Sequence, residues 1–123
     1  MSGTTEDTAS HGATAASISN GMVGLLHRYT GRGPTKARTT ISDNLVVCVM
    51  AATLTHGEQT LVDEGKEKIV LRGRRAFQEA MEDDAVNLVE DLLDRDVVAF
   101  MSNNHIDPDL AVEIFILGAL ADE

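Results

Sequence analysis

The chain has 123 residues, a net charge of −10 and a hydrophobic fraction of 43%, which is enough for one domain with a modest core. Its acidity disfavours general binding to nucleic acids or anionic membranes, and with 3% aromatic residues and no tryptophan it lacks the rings on which bases stack. A single cysteine, Cys48, excludes an intramolecular disulfide and a cysteine metal cluster, and it favours a reducing, cytoplasmic setting.

The first residues differ in composition from the rest of the chain. Residues 1–14 are rich in serine, threonine, glycine and alanine, so we expect a disordered tail ahead of a single domain at 15–120. This stretch has no early positive charge and no apolar centre, which disfavours a signal peptide. Since no run approaches about 18 apolar residues, we also expect no direct membrane insertion.

Helical spacing appears first in residues 15–30. Ile18, Met22, Leu25 and Tyr29 recur at intervals of three and four, which places them on one face of a helix. Gly31 follows as a candidate C-cap because glycine accepts the left-handed backbone that ends many helices. We predict a helix over 15–30.

A hairpin is predicted next. Residues 36–42 are rich in β-branched side chains, and a more apolar run extends from Leu45 to Leu54. Asp43 and Asn44 between them form a typical tight turn, since Asn tolerates positive φ. The continuous apolar stretch 45–50 is typical of a central strand covered on both faces.

Two helices follow the hairpin. Thr55 with Glu58 three residues later matches a capping box, which predicts a helix start. We expect a short helix at 56–64 and a longer one at 66–93, with Gly65 at the break.

Two further strands are predicted at 96–103 and 110–117, with a turn in the NNHIDPD segment between them. The element order is then α-β-β-α-α-β-β. We predict an α+β two-layer sandwich in which a four-stranded, mostly antiparallel sheet carries the helices on one face.

The second face of this sheet is also expected to be apolar in part. In the last strand, Val112, Ile114 and Ile116 alternate with Phe115 and Leu117, so both faces receive large apolar side chains. An uncovered apolar face favours a homodimer.

The strongest candidate binding segment is the basic loop after the first helix. Four of the ten Lys and Arg residues lie between positions 28 and 38, and glycines there let backbone N–H groups approach a ligand. We predict that this loop binds a small anion or an acidic partner. The alternative is a helix stop and solvated turn whose cations pair with the chain's own acids. The candidate residues are Arg28, Gly31, Arg32, Gly33, Lys36 and Arg38.

A second candidate lies in the turn between the last two strands. Asn104, His105 and Asp107 are grouped there, and a histidine beside an aspartate is a candidate general base or half of a metal site. One histidine and one aspartate are too few to hold a metal, and Asn, Asp and Pro also satisfy turn geometry. The structural alternative is therefore the stronger one, and we predict no metal, cofactor or established catalytic residue.

Several strings resemble a known bacterial family. ISNGMVGLLHRYTGRGPTKARTTISDNLVV, LTHGEQTLV, RRAFQEAM and VVAFMSNNHIDPDLAVEIFIL, within residues 15–118, are similar to the MpsC-like family, long catalogued as a domain of unknown function. The family label refers to a Na⁺-translocating membrane-potential-generating system. In such systems, which are associated with inorganic-carbon uptake, membrane subunits carry out transport, and the resemblance implies a small accessory component.

Three functional hypotheses remain open from the sequence. The first is a non-enzymatic accessory or regulatory protein, cytoplasmic or peripheral to a membrane complex, that uses the basic loop. The second is a small enzyme with His105 as general base. The third is an oligomeric scaffold with no ligand. A shared pocket of the basic loop and the His105 turn favours the ligand-binding and enzyme hypotheses, whereas their location at opposite ends of the sheet favours the scaffold.

Overall fold

The computed structural model describes residues 2–118, and their side chains from residue 11 onward. Three helices and four strands follow in the predicted order. Their bounds are α1 Ser2–Thr30, β1 Lys36–Ser42, β2 Leu45–Ala51, α2 His56–Asp63, α3 Glu67–Leu93, β3 Val97–His105 and β4 Leu110–Leu117. The α+β fold class is thus confirmed.

Helix α1 is longer than the sequence analysis predicted. It begins at Ser2 rather than at residue 15, so the segment expected to be a tail continues the helix from Ser2 onward. No proline interrupts this segment, and its two alanines, Ala9 and Ala13, favour helix, whereas the prediction rested on its serine, threonine, glycine and alanine content. The division into tail and domain itself stays a prediction.

The end of α1 agrees with the prediction. Gly31 has φ +83°, and its N–H donates to the carbonyl oxygen of His27 at 2.8 Å. A residue with a Cβ is strained in this conformation, which explains why the helix ends at a glycine.

The four strands form one sheet in the order β1-β2-β4-β3. Every neighbouring pair is antiparallel. Both predicted hairpins are present, and β2 and β4 lie at the centre. In the first hairpin turn, Asp43 rather than Asn44 has the positive φ, 51°, which Asp also tolerates because of its short polar side chain.

The capping box predicted before α2 is complete. The Thr55 hydroxyl accepts from the Glu58 N–H at 3.1 Å, and the Glu58 carboxylate accepts from the Thr55 N–H at 2.8 Å. Gly65, with φ +75°, separates α2 from α3 as expected.

The helices cover one face of the sheet, where the core lies. α1 packs mainly on β1 and α3 on β3. The core consists of apolar side chains from α1, α3 and the inner face of the sheet: Ile18, Met22, Leu26, Val46, Cys48, Met50, Met81, Ala85, Val89, Ala111, Phe115 and Leu117. Gly21 allows the two helices to approach closely, since a Cβ there would lie 2.6 Å from the Leu88 side chain.

The outer face of the sheet carries no helix in the described chain, and its centre is apolar. In β4 the residues facing outward are partly buried by their neighbours, as predicted from the alternation, while Leu45 and Val49 of β2 and Met101 of β3 are exposed. The register aligns these strands row by row. This surface, which includes Leu45, Val47, Val49, Val112, Ile114, Ile116 and Met101, is called the outer face below.

Candidate functional site

The first cation of the predicted basic loop is engaged within the molecule. Arg28, in the last turn of α1, forms an ion pair with Asp84 of α3 at 2.8 Å, and its guanidinium lies 5.5 Å from the centre of the Tyr29 ring. The Tyr29 hydroxyl donates to the same carboxylate at 2.7 Å, and this bond to Asp84 is the main reason why the pKa of Tyr29 is raised. The cluster joins α1 to α3.

Arg32 is also used locally. Its Nε donates to the carbonyl oxygen of Ala52 at 3.0 Å, and the Thr35 N–H donates to the carbonyl oxygen of Ala51 at 3.1 Å. The loop therefore lies against the end of β2, and Gly33 sits beside α1, with His27 near its Cα. These contacts fix the path of the chain into β1.

Lys36 and Arg38 are arranged differently. Both are exposed, and both project from edge strand β1 on the side of the outer face, opposite Ala51 and Val49 of β2. Among residues 11–118, neither is in an ion pair. They form a cationic border along one side of an apolar surface.

Asn104 and His105 were predicted to lie in the turn, but they are the last two residues of β3, and the turn follows them at 106–109. This end of the hairpin, called the His105 turn below, is held by local and inter-element contacts. His105 is exposed, and its Nδ1 lies 2.8 Å from the carbonyl oxygen of Pro108. The Asn104 amide faces the opposite way, towards α3, and donates to the Gln78 side chain at 2.9 Å. Asp107 is exposed before Pro108. The role of His105 as a general base stays a prediction.

The basic loop and the His105 turn lie at the same end of the sheet but on opposite edges. One row of the register runs from Lys36 through Ala51 and Leu110 to His105. Three strand spacings separate its ends, roughly 14 Å. A shallow depression of about 340 Å³ on this side is lined by His105, Leu110, Val112 and Val49. It does not reach Lys36 or Arg38.

Asp109 was not singled out from the sequence, although it ends the DPD string. Its carboxylate accepts from the Thr53 N–H at 3.0 Å, the Thr53 hydroxyl at 2.9 Å and the Leu54 N–H at 2.9 Å. Its own carbonyl accepts from the Ala52 N–H at 3.1 Å. Asp109 thus holds the loop 52–55, so this part of the motif has a structural role.

Arg74 of α3 also contacts the loop 52–55 that Asp109 holds. It is buried in α3, and its guanidinium contacts both oxygens of Glu58, with an ion-pair distance of 2.6 Å. The same guanidinium donates to the carbonyl oxygen of Thr53. The capping box of α2 is thereby tied to α3. The sequence analysis did not single out Arg74, and its pairing with Glu58, 16 residues earlier, is seen only in the structure.

Glu113 is the most perturbed acid among the described residues. It lies on the inner face of β4 with 1% of its surface exposed, and Oε1 accepts from the Gln78 amide at 3.3 Å. Oε2 has no hydrogen-bond partner in the described part of the chain. Burial raises the pKa of Glu113 to about 8, although the bond from Gln78 opposes the shift. The sequence analysis did not single out Glu113, because it named the two faces of the last strand without saying which of them is buried.

Cys48, the neighbour of Glu113 across the register, is a free thiol in the core. Burial raises its pKa, which keeps the thiol protonated, and the nearby carboxyl group of Glu113 acts in the same direction. A buried neutral thiol is a poor nucleophile. Cys48 therefore contributes to packing.

The side chains of residues 11–118 contain no cluster of three or more His, Cys, Asp or Glu suited to a metal ion. Of the helices described, none combines the length and the apolarity needed to cross a bilayer.

Comparison with known proteins assigns this domain to a family. Searches of curated proteins and of solved structures gave no match. Residues 10–119, nearly the whole chain, match the family described as "Na+-translocating membrane potential-generating system (MpsC)", which confirms the resemblance seen in the sequence. The chain belongs to the MpsC family.

Proposed function

We propose that this protein is a non-enzymatic accessory or regulatory component of a membrane-potential-generating system. It binds an acidic surface of a membrane transport subunit through its outer face and the cations beside it. The family description suggests the system. The proposed position is peripheral, on the cytoplasmic side of the membrane.

One observation carries this proposal: the exposed pair Lys36 and Arg38 borders an apolar surface in a chain of net charge −10. An apolar centre with a charged rim is typical of a protein interface. The rim is cationic although the chain as a whole is acidic. Charge complementarity therefore favours an occupant with carboxylates beside its own apolar patch.

The other candidate cations have a supporting role in this proposal. Arg28 is paired with Asp84 and Arg32 is bonded to Ala52, so both position the loop instead of meeting a ligand. A partner surface fits better than a small anion, because Lys36 and Arg38 border an extended face and no described depression includes them.

A second copy of the chain is the alternative occupant of the outer face. Because Leu45, Val49 and Met101 are exposed, we expect another protein surface to bind over them. A homodimer through this face covers these side chains but offers few acids to Lys36 and Arg38, since the outer-facing residues of β3 include Met101, Asn103 and His105.

The test uses charge reversal at the rim. Tagged wild type captures its partner from detergent-solubilised membranes of the native organism, and mass spectrometry identifies it. We expect Lys36→Glu with Arg38→Glu to reduce capture at least about tenfold, because repulsion replaces attraction. Raised salt should weaken the wild-type complex as well.

The matched control is Lys68→Glu with Arg72→Glu, the same charge change at exposed positions of α3. It should leave capture unchanged. Equal capture by the Lys36/Arg38 variant contradicts the acidic-partner proposal. Light scattering of the purified protein tests the alternative, since a dimer that Val49→Lys dissociates identifies a second copy as the occupant.

A further inference from the structure

Strand β3 is an edge of the sheet that is protected at its start by a bulge between Val97 and Ala99, but not along the rest of its length. Its neighbour in the sheet is β4, and nothing in residues 2–118 pairs with its other side. From Val97 to Asn104 it contains no charged residue and no proline. Edge strands commonly carry such residues because they prevent pairing with other chains. The opposite edge, β1, follows this rule with Lys36 and Arg38.

A groove runs beside this edge, between β3 and α3. One cavity of about 330 Å³ has Leu71 and Phe100 as apolar walls, with the polar groups of Gln78 and Ser102 beside them. A second cavity of about 300 Å³ continues towards the start of β3, and the two share Glu82 and Phe100. The groove therefore accompanies most of the strand.

The helix side of the groove is acidic. Glu79, Glu82 and Asp83 line it, against the single cation Arg75. All four side chains are exposed. A bound segment with lysine or arginine would satisfy this rim, while an acidic segment would be repelled.

We propose that the groove binds an extended, Lys- or Arg-bearing segment of a partner protein, which adds to β3 as a fifth strand. The N–H groups of Val97 and Asn104 at the two ends of β3 donate to the side chains of Glu90 and Asn103. The edge-facing backbone groups between them supply the hydrogen bonds, and alternate side chains of the segment enter the groove. Val98 and Met101, 66% and 50% exposed, gain cover from the added strand.

Charge argues against a second copy as the occupant. A two-fold axis through paired β3 edges places both α3 helices on the same side of a continuous sheet. The acidic rims, with Glu79, Glu82 and Asp83 from each copy, then flank the junction. Met101 also belongs to the outer face, but the backbone edge of β3 and the acidic rim do not, so the inference does not depend on the function proposed above.

The test uses two acetylated seven-residue peptides, one alternating lysine with valine and the other alternating glutamate with valine. Each is titrated into the ¹⁵N-labelled full chain. We expect the lysine peptide to shift the amide resonances of residues 98–104 and to slow their hydrogen exchange. Glu79→Lys with Glu82→Lys should weaken this binding at least about tenfold.

The control variant carries the same charge change elsewhere on α3, Glu67→Lys with Asp91→Lys, and should bind the peptide like wild type. Three results would overturn the proposal. They are no shift in β3 at millimolar lysine peptide, equal binding by the Glu79/Glu82 variant, and a peptide-free dimer whose protected amides lie in β3.

Discussion

At the scale of single residues, the buried acid Glu113 departs most from ordinary surface chemistry. Its carboxyl group lies under α3 with one oxygen bonded to Gln78 and the other unpaired among the described residues. Ionisation in this place lacks the water that would stabilise the charge. The protein therefore keeps Glu113 largely protonated at neutral pH, which agrees with a pKa of about 8.

This has a consequence for stability. The unfolded chain releases the Glu113 proton near pH 4.5, whereas the folded protein holds it until about pH 8. The contribution of protonated Glu113 to the free energy of unfolding is therefore fully present below pH 4.5. It is lost as the pH rises towards 8, by about 1.4 kcal/mol per pH unit. Glu113→Gln should remove this slope. Urea unfolding of both proteins across this pH range measures the difference, and parallel curves would contradict the assignment.

Arg74 is the second residue whose chemistry depends on burial. Replacing Arg74 with Met leaves the Glu58 carboxylate and the Thr53 carbonyl without their partner. We expect a loss of about 3–5 kcal/mol in the free energy of unfolding, because removing one partner of a buried ion pair leaves the other charge without compensation. Denaturant unfolding measures it.

Two further variants check the cause. Arg72→Met, on the exposed side of the same helix, should change stability by less than about 0.5 kcal/mol. Arg74→Met combined with Glu58→Gln should recover part of the loss, since no charge is then left unpaired and the Gln side-chain oxygen can still accept from the Thr55 N–H of the capping box. A loss below about 1 kcal/mol in Arg74→Met alone would show that the pair is not important for folding.

At the scale of elements, the loop 52–55 joins the sheet to the helices. Asp109 fixes it from the start of β4, and Arg74 fixes it from α3. Ala52 has φ 58°, an unusual conformation for alanine that these contacts maintain. The loop also provides Thr55, the N-cap of α2. The geometry of α2 relative to the sheet thus depends on the Asp109 carboxylate and the Arg74 guanidinium.

Asp109→Ala should loosen this junction. It removes the acceptor of the Thr53 and Leu54 N–H groups, both in buried residues, at a cost of about 1–3 kcal/mol for each unsatisfied group. Hydrogen exchange should become faster at Thr53 and Leu54. Asp107→Ala, at an exposed position two residues earlier, is the control and should have little effect. Equal effects of the two changes would contradict the role of Asp109.

At the scale of the whole molecule, the two sides of the sheet are used differently. The inner face and the helices form the core, and the contacts of Arg28, Arg74 and Asp109 join the elements. The outer face and the β3 edge lack such cover in the described chain. Because one has a cationic rim and the other an acidic groove, the two proposed partners have opposite charge, and the charge-reversal variants at the two surfaces can be tested separately.

Four features could be predicted from the amino-acid sequence alone: the element order, the capping box at Thr55 and Glu58, the helix end at Gly31 and the alternation in β4. Each of these depends on residues a few positions apart, so local backbone preferences and periodicity are sufficient to predict them. The predicted helix start at residue 15 was wrong, since α1 begins at Ser2. The serine, threonine, glycine and alanine content of residues 1–14 had placed them outside the helix, and their separation from the domain stays a prediction. Membership of the MpsC family was also recognisable from the sequence strings.

The contacts of the candidate site residues follow from the tertiary fold and not from local sequence patterns. Arg28 meets Asp84 and Thr53 meets Asp109, in both cases 56 positions apart, and no local pattern contains such distances. Lys36 and Arg38 share a loop with Arg28 and Arg32 in the sequence, but strand β1 directs them to another surface. The pairing of charges and the burial of Glu113 depend on tertiary contacts between residues that are distant in the sequence. The spacing of residues along the chain does not predict such contacts.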